Sequence, residues 1–221
     1  MEYLPHIQTE TKSNPNAAII WLHGLGADGH DFAPIVPELG LPDDLAIRFI
    51  FPHAPSIPVT INNGYVMPAW YDILEMSIDR KVDTEQLLKS SQSVVDFIER
   101  EIERGIDSSR IIIAGFSQGG AVAIQSALTY DKPLAGLLAM STYFATKATI
   151  EPNPANKNIP IQIMHGLMDP VVPVQLGSDS LQTLSSMGYQ PDLKTYPMEH
   201  AVCPPQIKDI GQWIQTTLAK Q

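Results

Sequence analysis

Apolar residues in this chain come in short continuous runs, and stretches with helical spacing lie between the runs. Residues 17–22, 47–51, 110–114, 134–140, 161–164 and 193–196 carry few polar positions. Each reads as a strand buried on both faces. Between them the pattern predicts helices over 83–104, 118–130, 173–187 and 205–219. The first of these places Leu87, Leu88, Val94, Val95, Ile98 and Ile102 near a 3.6-residue period. Buried strands alternating with helices predict an α/β fold with a mostly parallel central sheet flanked by helices. Only residues 52–79 break the alternation. This segment is rich in Pro, Asn and Gly but also carries Tyr65, Met67, Trp70, Tyr71, Ile73, Leu74 and Met76. A polar linker would lack those side chains, so a folded flap with an apolar inner face is expected. Met67, Trp70 and Leu74 are its candidate substrate-binding residues, forming the wall of an apolar pocket. The alternative is a loop that packs on the core.

The chain has 221 residues and no internal repeat or long linker, so one domain spanning 1–221 is expected. A hydrophobic share of 44% with 17% charged residues excludes a disordered chain. The formal charge of −10 disfavours nucleic acid and anionic membranes as partners. The single cysteine, Cys203, permits no disulfide within the chain. The N-terminus lacks the basic and apolar regions of a signal peptide, and no apolar run has the length of a membrane span. A soluble cytoplasmic protein is the expectation. An apolar flap could also serve as the interface of a homodimer.

The most informative chemistry is Gly115-Phe116-Ser117-Gln118-Gly119 between a predicted strand and a helical stretch of small residues. A G-x-S-x-G turn in that context lifts the serine hydroxyl above the sheet edge and sets the free N–H groups of the new helix beside it. The plainer reading is an ordinary strand–helix turn with a chance serine. A serine nucleophile needs a base and a group that orients the base. His165 and His200 are the histidines that follow it. His200 lies on a loop after the last predicted strand, where a base at the sheet rim belongs, and His165 reads as a structural strand-end residue. Of the carboxylates between Ser117 and His200, Asp169 directly follows a strand and precedes a helix. Asp131 and Asp192 look like turn residues. Glu199 adjoins His200, and neighbours in an extended loop point apart. Ser117, Asp169 and His200 are therefore the candidate catalytic residues. The amides of Gln118 and Leu25 are the candidate oxyanion donors, Leu25 from the loop that follows an early strand.

That loop, Gly24-Leu25-Gly26-Ala27-Asp28-Gly29, also satisfies G-x-G-x-x-G. A dinucleotide site would need an acidic residue at the end of the second strand, where Phe51-Pro52-His53 stands, and Asp28 would oppose a phosphate. No cofactor and no metal is expected.

Taken together, the chain resembles the acyl-protein thioesterase and carboxylesterase family of small α/β-hydrolases. The resemblance is carried by residues 22–29, Phe51-Pro52-His53-Ala54-Pro55, Met67-Pro68-Ala69-Trp70-Tyr71-Asp72, Gly115 to Gly120, residues 165–173 and Tyr196-Pro197-Met198-Glu199-His200. Residues 58–62 match bacterial members. The resemblance implies an α/β-hydrolase fold without a separate lid domain. It implies hydrolysis of a small ester or an acylated substrate, in some members an acyl-protein thioester or a lysophospholipid, without metal or organic cofactor. It carries over Ser117, Asp169 and His200 as the triad, Leu25 and Gln118 as the oxyanion hole and Trp70 as a pocket residue. Glu199 departs from the glycine of many relatives and would raise the His200 pKa if its carboxylate turned inward. The rival from another class is a catalytically silent ligand-binding protein on the same fold.

Overall fold

The computed structural model describes residues 3–78 and 80–219. Seven strands form the main sheet: β1 (His6–Glu10), β2 (Ala17–Leu22), β3 (Ile47–Pro52), β8 (Ile111–Phe116), β9 (Gly136–Met140), β10 (Ile161–Gly166) and β11 (Pro191–Tyr196). Their spatial order is β1-β3-β2-β8-β9-β10-β11. All neighbours pair in parallel except β1 and β3. The α-helices among the described residues are α1 (Thr84–Glu103), α2 (Gln118–Thr129), α3 (Val174–Ser186) and α4 (Pro204–Ala219).

Successive residues of each central strand feed opposite faces. Ala18, Ile20, Leu22, Ile111 and Ile113 pack with Leu87, Val94 and Phe97 of α1, Val122 and Ile124 of α2 and Leu184 of α3. Ala17, Ile19, Trp21, Ile112 and Ala114 pack with Val36 and Leu39 and with Ile207, Ile210 and Ile214 of α4. This two-sided burial explains why β2, β3, β8, β9 and β10 are buried throughout and mostly apolar, with Arg48 in β3 and Gln162 and His165 in β10 as the polar exceptions. Helix α1 starts at Asp83, whose carboxylate accepts the Gln86 N–H at 3.0 Å.

Four features depart from the sequence pattern. Strand β11, expected over residues 193–196 as buried on both faces, is mostly half-buried or exposed because it forms the other edge of the sheet. Strand β1 has one strongly apolar residue, Ile7, and forms through antiparallel pairing with β3, which periodicity does not report. Ala33–Leu39 forms a 3-10 helix after the Gly24–Gly29 loop. The flap folds as two small antiparallel hairpins, β4 (Ser56–Val59) with β5 (Tyr65–Pro68) and β6 (Ile73–Glu75) with β7 (Lys81–Val82). Asp72 joins them by accepting from both the amide and the hydroxyl of Thr60. Asp79, at the end of the expected flap, lies outside the described residues.

Candidate active site

Ser117 stands at the joint between β8 and α2 with φ 54° and ψ −121°, a conformation that a non-glycine residue adopts only when its surroundings enforce it. They do so here through close backbone packing. A Cβ at Gly115 would overlap the Gly119 carbonyl, and one at Gly119 would overlap the His23 carbonyl. The Ser117 amide donates to the Met140 carbonyl at 2.8 Å, and its carbonyl accepts the Thr142 hydroxyl at 2.6 Å. The strained residue is thus held on both sides by the end of β9 and the segment that follows it.

His200 and Asp169 reach Ser117 from the two loops that follow β11 and β10. His200 Nε2 lies 2.9 Å from Ser117 Oγ, and His200 Nδ1 lies 2.7 Å from Asp169 Oδ2. The loops run close because Gly166 has no side chain: a Cβ there would overlap the Met198 and Glu199 carbonyls. The Leu167 amide donates to Tyr196 O at 2.8 Å, and the Met168 amide to Met198 O at 3.1 Å. Asp169 Oδ1 accepts the amides of Val171 and Val172 at 2.9 and 2.8 Å. Burial would raise the Asp169 pKa, but His200 and the two amides outweigh it and hold the carboxyl below its ordinary value. An ionised Asp169 can only accept, so the proton of the neutral imidazole resides on Nδ1. Nε2 then faces the serine as a base.

His165 is buried behind this chain. Its Nε2–H donates to the Val172 carbonyl at 2.7 Å. Its Nδ1 has no partner among the described residues. Burial lowers its pKa, so it stays neutral and structural, as its strand-end position suggests. Glu199 is exposed, and its carboxylate joins no ion pair among the described residues. Its side chain does not turn inward onto His200.

The Leu25 and Gln118 amides find no acceptor among the described residues. Gln118 N–H is the first of α2, and Leu25 belongs to the loop after β2. His23 shapes that loop. It is buried, and desolvation depresses its pKa, so the ring is neutral. Its Nδ1–H donates to Gly24 O at 2.7 Å while Nε2 accepts the Ala54 amide at 3.0 Å. The G-x-G-x-x-G loop leads into the 3-10 helix and not into an α-helix that could receive a pyrophosphate.

A family model described as Phospholipase/Carboxylesterase matches residues 5–218. The chain belongs to this family. Acyl-protein thioesterase 1 of Neurospora crassa is 38% identical to it, over 98% of this chain and 93% of that protein. Among solved structures, SOBER1 of Arabidopsis thaliana superposes with a TM-score of 0.85 at 31% identity, covering 91% of this chain and 99% of that one. Acyl-protein thioesterase 2 of Zea mays gives a TM-score of 0.85 at 27% identity, covering 98% of this chain and all of the other.

In this family member a cleft of about 330 Å³ opens over Ser117. Its lining includes the apolar side chains of Ile61, Ile73, Met76 and Val171. Ala27, Asp31 and Phe116 line it as well, together with Ser117 and His200. The flap therefore does contribute a wall, but through different residues from those expected. Trp70 does not line the cleft. It is 1% exposed and lies in the core beneath, where its Nε1–H donates to His23 O at 2.8 Å. Its own amide donates to Gln118 Oε1 at 2.8 Å. Leu74 points to solvent at 48% exposure, the adjacent Ile73 being the one that faces inward. Met67 packs beside Gly26, and its Sδ accepts from the Asn62 side-chain Nδ2 at 3.3 Å, just outside the cleft wall. An aromatic residue in an irregular segment satisfies a core and a pocket equally well in sequence. Sequence reasoning also missed Asp31, Tyr143 and Val171, which carry no spacing signal and meet only through the fold.

Proposed function

We propose that this protein is a serine esterase that hydrolyses carboxylic esters or thioesters of short to medium acyl chains through an acyl-enzyme. The observation that carries this reading is the unbroken chain from Ser117 Oγ through His200 to Asp169 at the floor of an apolar-sided cleft. His200 Nε2 takes the Ser117 proton as Oγ attacks the acyl carbon. The negative charge that develops on the carbonyl oxygen meets the Leu25 and Gln118 amides, each such donor being worth roughly 10²–10³ in rate. His200 then protonates the leaving group. Water, activated by the same imidazole, releases the acid. The apolar side of the cleft suits the acyl chain, each buried methylene adding about 0.8 kcal/mol. The names of the thioesterase relatives support an acylated thiol among the substrates.

The test is labelling with a fluorophosphonate together with hydrolysis of para-nitrophenyl butyrate. Ser117→Ala should abolish both while leaving the fold intact. Labelling that persists on another serine would refute the assignment.

A further inference from the structure

Four titratable side chains line the cleft: Asp31, Arg80, Tyr143, whose hydroxyl pairs with that of Tyr71 at 2.8 Å, and His200. His200 belongs to the proposed chemistry, and Arg80 is engaged on the apolar side. Its guanidinium lies 5.0 Å from the centre of the Tyr143 ring, donates to the Val171 carbonyl and reaches Met76 Sδ at 3.0 Å. Asp31 is different. Its amide donates to Asp28 O at 3.1 Å, but its carboxylate joins no hydrogen bond or ion pair among the described residues. The neighbouring Asp28 is already held by His30, at 2.8 Å from its ring and 2.7 Å from its amide. Partial burial and the Asp28 charge both raise the Asp31 pKa, as befits a carboxylate with no counter-charge.

Asp31 lines the same cleft as Phe116, Ser117 and His200. The Phe116 ring lies 4.8 Å from the His200 ring, and Phe32, the neighbour of Asp31, lies 5.5 Å from Phe116. Phe116 therefore lies against the imidazole, in the cleft that Asp31 also lines. The acyl chain is drawn to the apolar side chains of Ile61, Ile73, Met76 and Val171. His200 must also protonate the departing group, so that group lies on the imidazole side.

We propose that Asp31, with the Phe116 ring beside it, makes the leaving-group side of this cleft select substrates whose leaving group carries a positive charge. The inference rests on the esterase reading and adds specificity to it. An unpaired carboxylate at the mouth of a low-dielectric cleft attracts a cation, and an aromatic face adds to that attraction for an alkylammonium.

The test compares two esters of nearly equal shape, butyrylcholine and 3,3-dimethylbutyl butyrate, which differ in a quaternary nitrogen against a quaternary carbon. The ratio of their kcat/KM values cancels any general effect of a substitution on turnover. In the native protein the ratio should be about three- to tenfold in favour of the cation at low salt and should shrink as salt screens the charge. Asp31→Asn should bring it to within about twofold of unity, the residue reflecting the overall charge of −10. Asp31→Glu should keep the preference, and Asp31→Lys should reverse it. A native ratio at or below one, or a ratio unchanged in Asp31→Asn, overturns the inference while leaving the esterase reading in place. Failure of the native protein to hydrolyse the neutral ester overturns that reading, and this inference with it.

Discussion

Replacing Asp169 with asparagine separates the orienting role of this residue from its role in folding, and the hydrogen bonds around it dictate the outcome. Asp169 Oδ1 accepts two backbone amides, from Val171 and Val172, at 2.9 and 2.8 Å. An asparagine must keep its carbonyl oxygen toward those two donors, because its NH₂ group has nothing to offer them. The NH₂ then points at His200 Nδ1, now 2.7 Å from Asp169 Oδ2. Two donors cannot face each other, so His200 loses its Nδ1 proton and carries it on Nε2, toward Ser117. The imidazole becomes a donor to the nucleophile and can no longer take its proton. The expected loss in kcat is about 10⁴, or about 5.5 kcal/mol in the barrier, as measured for the corresponding change in serine proteases. KM should change little, because the cleft walls are untouched.

The same substitution has a stability signature with a definite sign. The folded-state pKa of Asp169 is depressed, so the carboxylate stabilises the fold above the unfolded carboxyl pKa, and that contribution fades as pH falls through the lower folded value. Thermal unfolding should show the native protein ahead of Asp169→Asn at neutral pH, with the gap closing in acid. The assay is steady-state hydrolysis of para-nitrophenyl butyrate, with melting curves at neutral and acid pH. An active Asp169→Asn alongside a crippled Asp192→Asn or Glu199→Gln would refute the reasoning.

Other outcomes follow from neighbouring contacts. Gly119→Ala should cost both stability, by about 1–3 kcal/mol, and most of the activity, because the new Cβ overlaps the His23 carbonyl between the elbow and the oxyanion loop; denaturant melts with kcat measurements check it. Ile73→Ala should flatten the rise of kcat/KM with acyl chain length, lowering it by about 0.8 kcal/mol per methylene no longer buried, and leave acetyl esters nearly unaffected. Trp70→Phe removes the bond to the His23 carbonyl and leaves that buried acceptor short of a donor. It should destabilise by about 1–3 kcal/mol and slow all chain lengths by a similar factor. A chain-length-dependent effect would return Trp70 to the cleft wall.

Much of the fold was legible because the central sheet is covered on both sides, which leaves strands such as Ile111–Phe116 with no polar positions to blur the pattern. Strand β1 was not legible, since an edge strand needs few apolar residues and is held by its ladder to β3. The meeting of Ser117, Asp169 and His200 was readable from chain order and from their places after strands, because a parallel sheet delivers those loops to one rim. The cleft walls were not. Ile73 and Leu74 are chemically alike and adjacent, and a two-residue period inside a three-residue strand decides which faces inward.

The relocation of Trp70 changes what the flap does. Its indole holds the carbonyl of His23, and its backbone amide is held by the Gln118 side chain, whose Nε2 donates in turn to the Tyr71 carbonyl. Gln118 and the His23–Leu25 loop are also the two sources of the proposed oxyanion donors. One buried segment, Trp70-Tyr71, therefore sets the distance between the two amides, and it is continuous in sequence with Ile73, which lines the apolar side of the cleft. An oxyanion hole contributes to catalysis only if its donors are already in place when charge appears. An exposed loop with solvent on one side could not keep that separation. Burying an aromatic residue beneath the loop, with both of its N–H groups bonded to the two donor segments, does so. On the proposed mechanism the flap is both the wall of the acyl slot and the floor that spaces the hole, which is why a bulky aromatic residue belongs there although it does not line the cleft.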